Sequence, residues 1–160
     1  MEIVILAHNI RSVLNLGSIL RTAEGFGVKE VYLSGYTPNW HEGLPHVREK
    51  MARQIHKTAL GAEDMVPSEY APNIETKILE LRQSGWRIVG LEQDNRSIAL
   101  PNYAPEQKIA LLLGEEVNGI EKQLRGLCDD LVEIPMRGGK ESFNVSVATG
   151  IALYALTIRE

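Results

Sequence analysis

Between Glu141 and Arg159 the chain carries no charged residue, although the apolar spacing over this stretch predicts a helix. A surface helix normally sets a polar face against its apolar stripe. This one places Val147, Ile151, Tyr154 and Ile158 on one side and Val145 and Leu153 on another. Such a helix must be covered twice. The sheet of its own domain can cover one side, so a second copy of the subunit is expected on part of the other, which makes the chain a homodimer. Ahead of the helix, Ile134 to Asn144 joins a strand end to Gly138 and Gly139 and to two side-chain hydrogen bonders, Ser142 and Asn144.

With 160 residues, 44% of them hydrophobic, the chain suits one domain spanning residues 1–160. A single cysteine, Cys128, excludes an internal disulfide and a multi-cysteine zinc site and suits a reducing compartment. The apolar run at the amino terminus is too short for a signal peptide or a membrane span, so the expected location is cytoplasmic. A net charge of −4 argues against indiscriminate nucleic-acid binding, which needs clustered Lys and Arg. One segment is locally basic: Arg48, Lys50, Arg53 and Lys57 surround the single acid Glu49, with His46 and His56 alongside. On charge alone this reads as a solvated helix face. Arg11, Arg21, Arg137 and Lys140 stand beside loops expected at the functional end.

Strand and helix signals alternate along the chain. Strands are expected at 2–7, 30–34, 87–92, 108–113 and 131–134. Helices are expected at about 15–26, at about 48–60, around Ile74, Ile78 and Leu81, and at the carboxyl terminus. Lys108 to Leu113 is a continuous apolar run, as expected when both faces of a parallel sheet are covered. The predicted class is therefore α/β, a mostly parallel sheet with helices on both faces. Parallel sheets gather ligand sites at the carboxyl ends of their strands, which points to the loops after Ala7, Leu91, Leu113 and Ile134.

Familiar nucleotide motifs fail. Gly25-Phe26-Gly27 lacks the third glycine of a dinucleotide fingerprint and ends a helix where the fingerprint should follow a strand. Gly138 to Ser142 lacks the first glycine of a phosphate loop. The acids Glu92, Asp94, Glu115 and Glu116 have no spacing that fixes a metal site, so most read as surface charge and no metal is expected. Cys128 has no activating neighbour and reads as core.

Three segments together do match a pattern: N-L-G-S-I-L-R-T-A-E-G-F-G from Asn15, L-L-L-G-E-E-V-N-G-I from Leu111, and I-P-M with S-F-N-V-S-V-A from Ile134. In order and spacing they resemble the three motifs of the SpoU/TrmH-type RNA ribose 2′-O-methyltransferases of the SPOUT superfamily. The resemblance covers nearly the whole chain. It implies a carboxyl-terminal trefoil knot, an exception to the rule against knotted chains, together with S-adenosyl-L-methionine as cofactor, a homodimer, and tRNA or rRNA as the RNA partner.

The resemblance places the cofactor against backbone groups at Leu91, Gly114, Ile134 and Met136, closed in by Ser142 and Asn144. Gly114 would permit close backbone approach; a strand-ending turn is the plainer explanation. Arg21 matches the family's catalytic arginine. A guanidinium stays protonated in proteins, so its expected role is to grip a substrate phosphate and stabilise the developing alkoxide. A surface-helix arginine is the alternative, weakened by the face Arg21 shares with Gly17. Asn15 suits both catalysis and a helix N-cap. Glu116 is expected to orient Arg21 or Asn15; an exposed carboxylate at a helix start, favourable for dipole reasons alone, is the alternative. Ser142 and Asn144 suit both ligand contact and capping.

The expected activity is methyl transfer to a ribose 2′-hydroxyl of tRNA or rRNA. The alternative from another class is a non-catalytic RNA-binding or nucleotide-binding protein that retains the fold. A base methyltransferase of the same superfamily is a third reading, and its members carry different motifs.

Overall fold

The structure is a computed structural model that describes residues 1–158; Arg159 and Glu160, the two charges that close the sequence, lie outside the described residues. Seven strands form one sheet, β1 (Glu2–His8), β2 (Glu30–Ser34), β3 (Ser68–Tyr70), β4 (Arg87–Leu91), β5 (Ile98–Ala99), β6 (Lys108–Leu113) and β7 (Asp130–Glu133). Their order is β3-β2-β1-β6-β4-β7-β5, and every pairing is parallel. The class expected from the sequence is the class observed.

The two-residue period of a strand sorts the side chains into two cores. Ile3, Ile5 and Ala7 of β1 and Ile109, Leu111 and Leu113 of β6 face one way. Val4, Leu6, Ala110 and Leu112 face the other. Because β1 and β6 pair from Glu2 with Lys108 to Ala7 with Leu113, the apolar runs lie side by side in the middle of the sheet, where neither face meets water.

Helices α1 (Val13–Gly25), α2 (Pro45–Ala59), α3 (Ala62–Met65), α4 (Ile74–Gln83), α5 (Lys122–Leu127) and α6 (Val145–Thr157) cover the sheet. Leu16, Ile19 and Leu20 of α1, Ile55 of α2 and Ala152, Leu153 and Leu156 of α6 belong to the first core. Ile74, Ile78 and Leu81 of α4 and Leu124 of α5 belong to the second. The terminal helix behaves as its composition demands: Leu153 is fully buried, whereas Val147, Tyr154 and Ile158 are 50%, 57% and 55% exposed. Within a single chain one side of α6 is covered and the other is bare.

Two sequence expectations change. Ser12, not Asn15, caps α1, its side chain accepting from the Asn15 amide at 3.2 Å. Gly17, one helical turn before Arg21, is the point where α2 crosses α1, not a ligand contact. A Cβ there would overlap the Thr58 hydroxyl and sit 2.5 Å from the Ile55 carbonyl oxygen.

Gly17→Ala sets two effects against each other. Alanine gains about 1 kcal/mol of helix propensity, and overpacking a well-filled contact costs about 1–3 kcal/mol. The clash involves backbone, which cannot rotate away, so the expected outcome is net destabilisation, read in urea unfolding as a lower midpoint with an unchanged slope.

Candidate active-site cleft

Strand order reverses in the middle of the sheet: β1, β2 and β3 run outward one way, then β4 starts on the far side and β6 inserts between β4 and β1. A crevice is expected where such a reversal occurs. At the carboxyl ends of β4, β6 and β7 lies a cleft of about 270 Å³, walled by Leu91, Leu113, Ile134, Phe143 and Val145. Its polar lining includes Glu92, Glu115, Glu116, Glu133 and Glu141, and among the described residues it contains no Lys or Arg. Of the residues expected to meet a cofactor, Leu91, Gly114, Ile134 and Ser142 line this cleft, and Met136 and Asn144 do not.

The loop after β6 is held from below. Both Glu92 oxygens act, one accepting from the Ile120 amide at 2.6 Å and the other from the Gln93 amide at 2.9 Å. Gly119, at φ +67°, lets the chain pass over that carboxylate. Gly114 serves the same turn. The space a Cβ would need there is filled by the Gly119–Ile120 backbone, so its close approach is to the protein itself. Gly138 and Gly139 have neither positive φ nor a neighbour within 4 Å of a Cβ position, and nothing in the structure requires glycine there.

Beside the cleft a chain of hydrogen bonds joins all three sequence motifs. Glu116 accepts from the backbone amides of Arg11 and Ser12 and from Asn15 Nδ2, each at 3.2 Å. Asn15 Oδ1 in turn accepts from Asn144 Nδ2 at 3.1 Å. Asn144 caps α6, its Oδ1 accepting from the Ser146 amide at 2.9 Å and the Ser146 hydroxyl at 2.6 Å. Glu116 therefore orients Asn15, as one branch of the sequence reading expects, and it does not touch Arg21. Asn144 is the N-cap of α6 and Ser142 is not.

Burial pushes the Glu116 carboxyl up, but the hydrogen bonds from its own amide, from Ser12, Arg11 and Asn15 outweigh this and leave its pKa below the ordinary 4.5. The other acids are also engaged. Glu115 pairs with Arg11 at 2.9 Å, and Asp94 accepts from Arg125 at 2.8 Å. The surface-charge reading thus fails for Glu92, Asp94, Glu115 and Glu116 alike. Burial pushes the Cys128 thiol up to about 12, which suits its reading as an unreactive residue.

Arg21 stands apart. It is exposed, and among the described residues it makes no hydrogen bond or ion pair. It does not line the cleft of its own chain. Thr22, next to it, lies against Gly150 of α6, the residue before the partly exposed Ile151. Sequence reasoning missed Glu92 as a buttress; its only signal is an acid placed directly after an apolar strand at the ligand end of the sheet.

The sequence pattern described as the SpoU rRNA Methylase family matches residues 2–154. The chain belongs to this family. Among its relatives is the 23S rRNA (guanosine-2′-O-)-methyltransferase RlmB of Nitrosomonas europaea, 37% identical over 141 residues, which cover 88% of this chain and 50% of that protein. The chain therefore spans about half the length of this relative. Two solved family members superpose closely. The TrmH/SpoU tRNA modifying enzyme of A. aeolicus gives a TM-score of 0.82 at 26% identity, covering 98% of this chain and 74% of that one. The SpoU methyltransferase AviRb of Streptomyces viridochromogenes, in complex with the cofactor AdoMet, gives 0.76 at 25% identity, covering 98% and 57%.

Glu116→Gln replaces an acceptor with an amide that faces donors. Because the folded-state pKa is depressed, the carboxylate's contribution to stability is present above the unfolded-state value and is lost as pH falls through the folded-state value. In urea unfolding across pH, the parent should exceed the variant at pH 7, and the gap should close below the ordinary glutamate pKa of 4.5. A gap that persists unchanged at pH 2.5 would remove the charge from the explanation.

Proposed function

We propose that the chain is an S-adenosylmethionine-dependent RNA methyltransferase acting on a ribose 2′-hydroxyl of tRNA or rRNA, and that it works as a cytoplasmic homodimer. The observation that carries this reading is the composition of the cleft: apolar walls with five glutamates and, among the described residues, no Lys or Arg. Such a lining repels phosphate groups and favours a ligand that carries positive charge. S-adenosylmethionine fits both the apolar walls and that potential; when bound it supplies a methyl group from a sulfonium, the bonding electron pair remaining on sulfur. The names of the relatives, a guanosine 2′-O-methyltransferase and an AdoMet-bound SpoU enzyme, support the same reading.

The chain's own residues have two tasks. Leu91, Gly114 and Ile134 would hold the cofactor with main-chain groups and apolar contact, with Ser142 in the same lining and Met136 joining them as the resemblance implies. Asn15 and Asn144, fixed by Glu116, present polar atoms beside that rim. The ribose oxygen must lose its proton, and its developing charge needs a cation that is already in place. Arg21 suits this role because it is unpaired and permanently charged. Its place outside its own chain's cleft, next to a residue that lies against α6, supports a shared site, in which one subunit's Arg21 serves the cleft of the other. The knot implied by the resemblance is part of the proposal. Ile134 and Glu141, Ser142 and Phe143 line the same cleft as the 91–93 and 113–119 stretches, and α6, which follows, packs against α1 and the turn at Leu100–Asn102.

Calorimetry with S-adenosylmethionine and mass spectrometry of nucleosides from treated tRNA and rRNA test this together. Binding and a methyl on ribose are expected. A folded chain that does not bind the donor would favour the non-catalytic reading. Arg21→Ala should keep donor affinity within about twofold and lose about 10²–10³ or more in transfer rate. Ile151→Asp, on the bare side of α6, should sediment as a folded monomer, and an unchanged dimer would place the interface elsewhere.

A further inference from the structure

We infer that the outer face of α2 is a docking surface for the phosphate backbone of RNA, separate from the cleft; this rests on the reading of the chain as an RNA-modifying enzyme. An acid-lined cleft cannot hold a polyanion, so any RNA that presents a ribose there must be gripped elsewhere. His46, Lys50, Arg53 and Lys57 follow an i, i+4, i+7, i+11 pattern, which sets them in one stripe along a helix. All four are exposed. The stripe lies opposite Ile55 and Ala59, the buried residues of α2.

The stripe is also free. Ion pairs engage Arg11, Lys77, Arg82, Arg87, Arg96 and Arg125, whereas Lys50, Arg53 and Lys57, side by side on one helix face, have no ion pair or hydrogen bond among the described residues. At 1.5 Å per residue the stripe extends about 16 Å, enough for several successive phosphates. One end reaches the site: Thr58, beside Lys57, donates to the Leu14 carbonyl at 2.8 Å, and Leu14 precedes Asn15 of the Glu116 cluster. A membrane surface is the poorer fit, because a membrane-binding helix borders its cations with a large apolar face, whereas Glu49, Gln54 and His56 flank this stripe and Val47 is the one exposed large apolar residue of α2.

The test compares the full-length parent chain with Lys50→Gln/Arg53→Gln/Lys57→Gln and with the charge-keeping Lys50→Arg/Arg53→Lys/Lys57→Arg. Fluorescence anisotropy with unfractionated tRNA is measured over a salt series, alongside calorimetry with S-adenosylmethionine and thermal unfolding. The neutral variant should bind tRNA at least about tenfold more weakly, with a salt slope shallower by about 2 to 3. Its unfolding temperature and donor affinity should match the parent's, and the charge-keeping variant should recover most of the loss. Unchanged affinity and slope in the neutral variant would overturn the proposal, as would a parent that binds anionic vesicles but not tRNA. A parent that binds tRNA through this face but never binds S-adenosylmethionine would sustain the surface and sink the methyl-transfer reading, so the two failures can be told apart.

Discussion

A single carboxylate holds the working end of the molecule together. Glu116 sits on the loop after β6 and takes hydrogen bonds from the last two amides of the β1–α1 connection and from Asn15. Hydrogen bonds to a charged group are worth about 1.5–3 kcal/mol, and a negative charge at a helix start adds about 0.3–1 kcal/mol. These partners lie more than a hundred residues apart, so local structure does not bring them together. Each bond therefore restrains a long-range arrangement, and Asn15 passes that restraint to Asn144 and the start of α6. Loss of the charge would loosen three connections at once.

The second constraint is space. Gly17 and Gly114 are both required by close backbone approach, but neither approach is to a ligand: one seats α2 on α1, and the other lets the 119–120 backbone fold against the end of β6. The loops around the cleft are thus fixed from beneath by Glu92 and by missing side chains, before any ligand is bound. A site prepared in this way loses less entropy on binding than one assembled from mobile loops.

The sequence revealed whatever depends on periodicity and long apolar runs. β2 and β6 fall at their expected limits and the other long elements fall within a few residues, because their apolar residues outnumber local ambiguities. The elements that escaped, α3, β3, β5 and α5, have only 4, 3, 2 and 6 residues, too few for a period to show. Caps were harder still. Asn15 and Ser12 are equally good capping residues, and only the tertiary demand of Glu116 and Asn144 for the Asn15 side chain decides between them. The acids beside the cleft read as solvated for a related reason: their partners, such as Arg125 for Asp94 and the Ile120 amide for Glu92, are distant in sequence.

What remains is how a chain of net charge −4 can serve a polyanionic partner. Overall charge sets long-range attraction, but binding depends on the local field, which is screened beyond about 8–10 Å in physiological salt. The charges are locally sorted: carboxylates gather at the cleft, a stripe of unpaired cations runs along α2, and the exposed Val147, Ile151 and Tyr154 of α6 carry no charge. An acid-lined cleft disfavours phosphate while still accepting a cation, so on the proposed function an RNA strand would lie across the rim with only a sugar pointing inward. The proposed second subunit rests on the same separation, because the cation suited to stabilise an oxyanion stands outside its own chain's cleft. A helix side kept free of charge would allow a second copy to bring that cation close, since burying an unpaired charge in the interface would cost more than the contact returns.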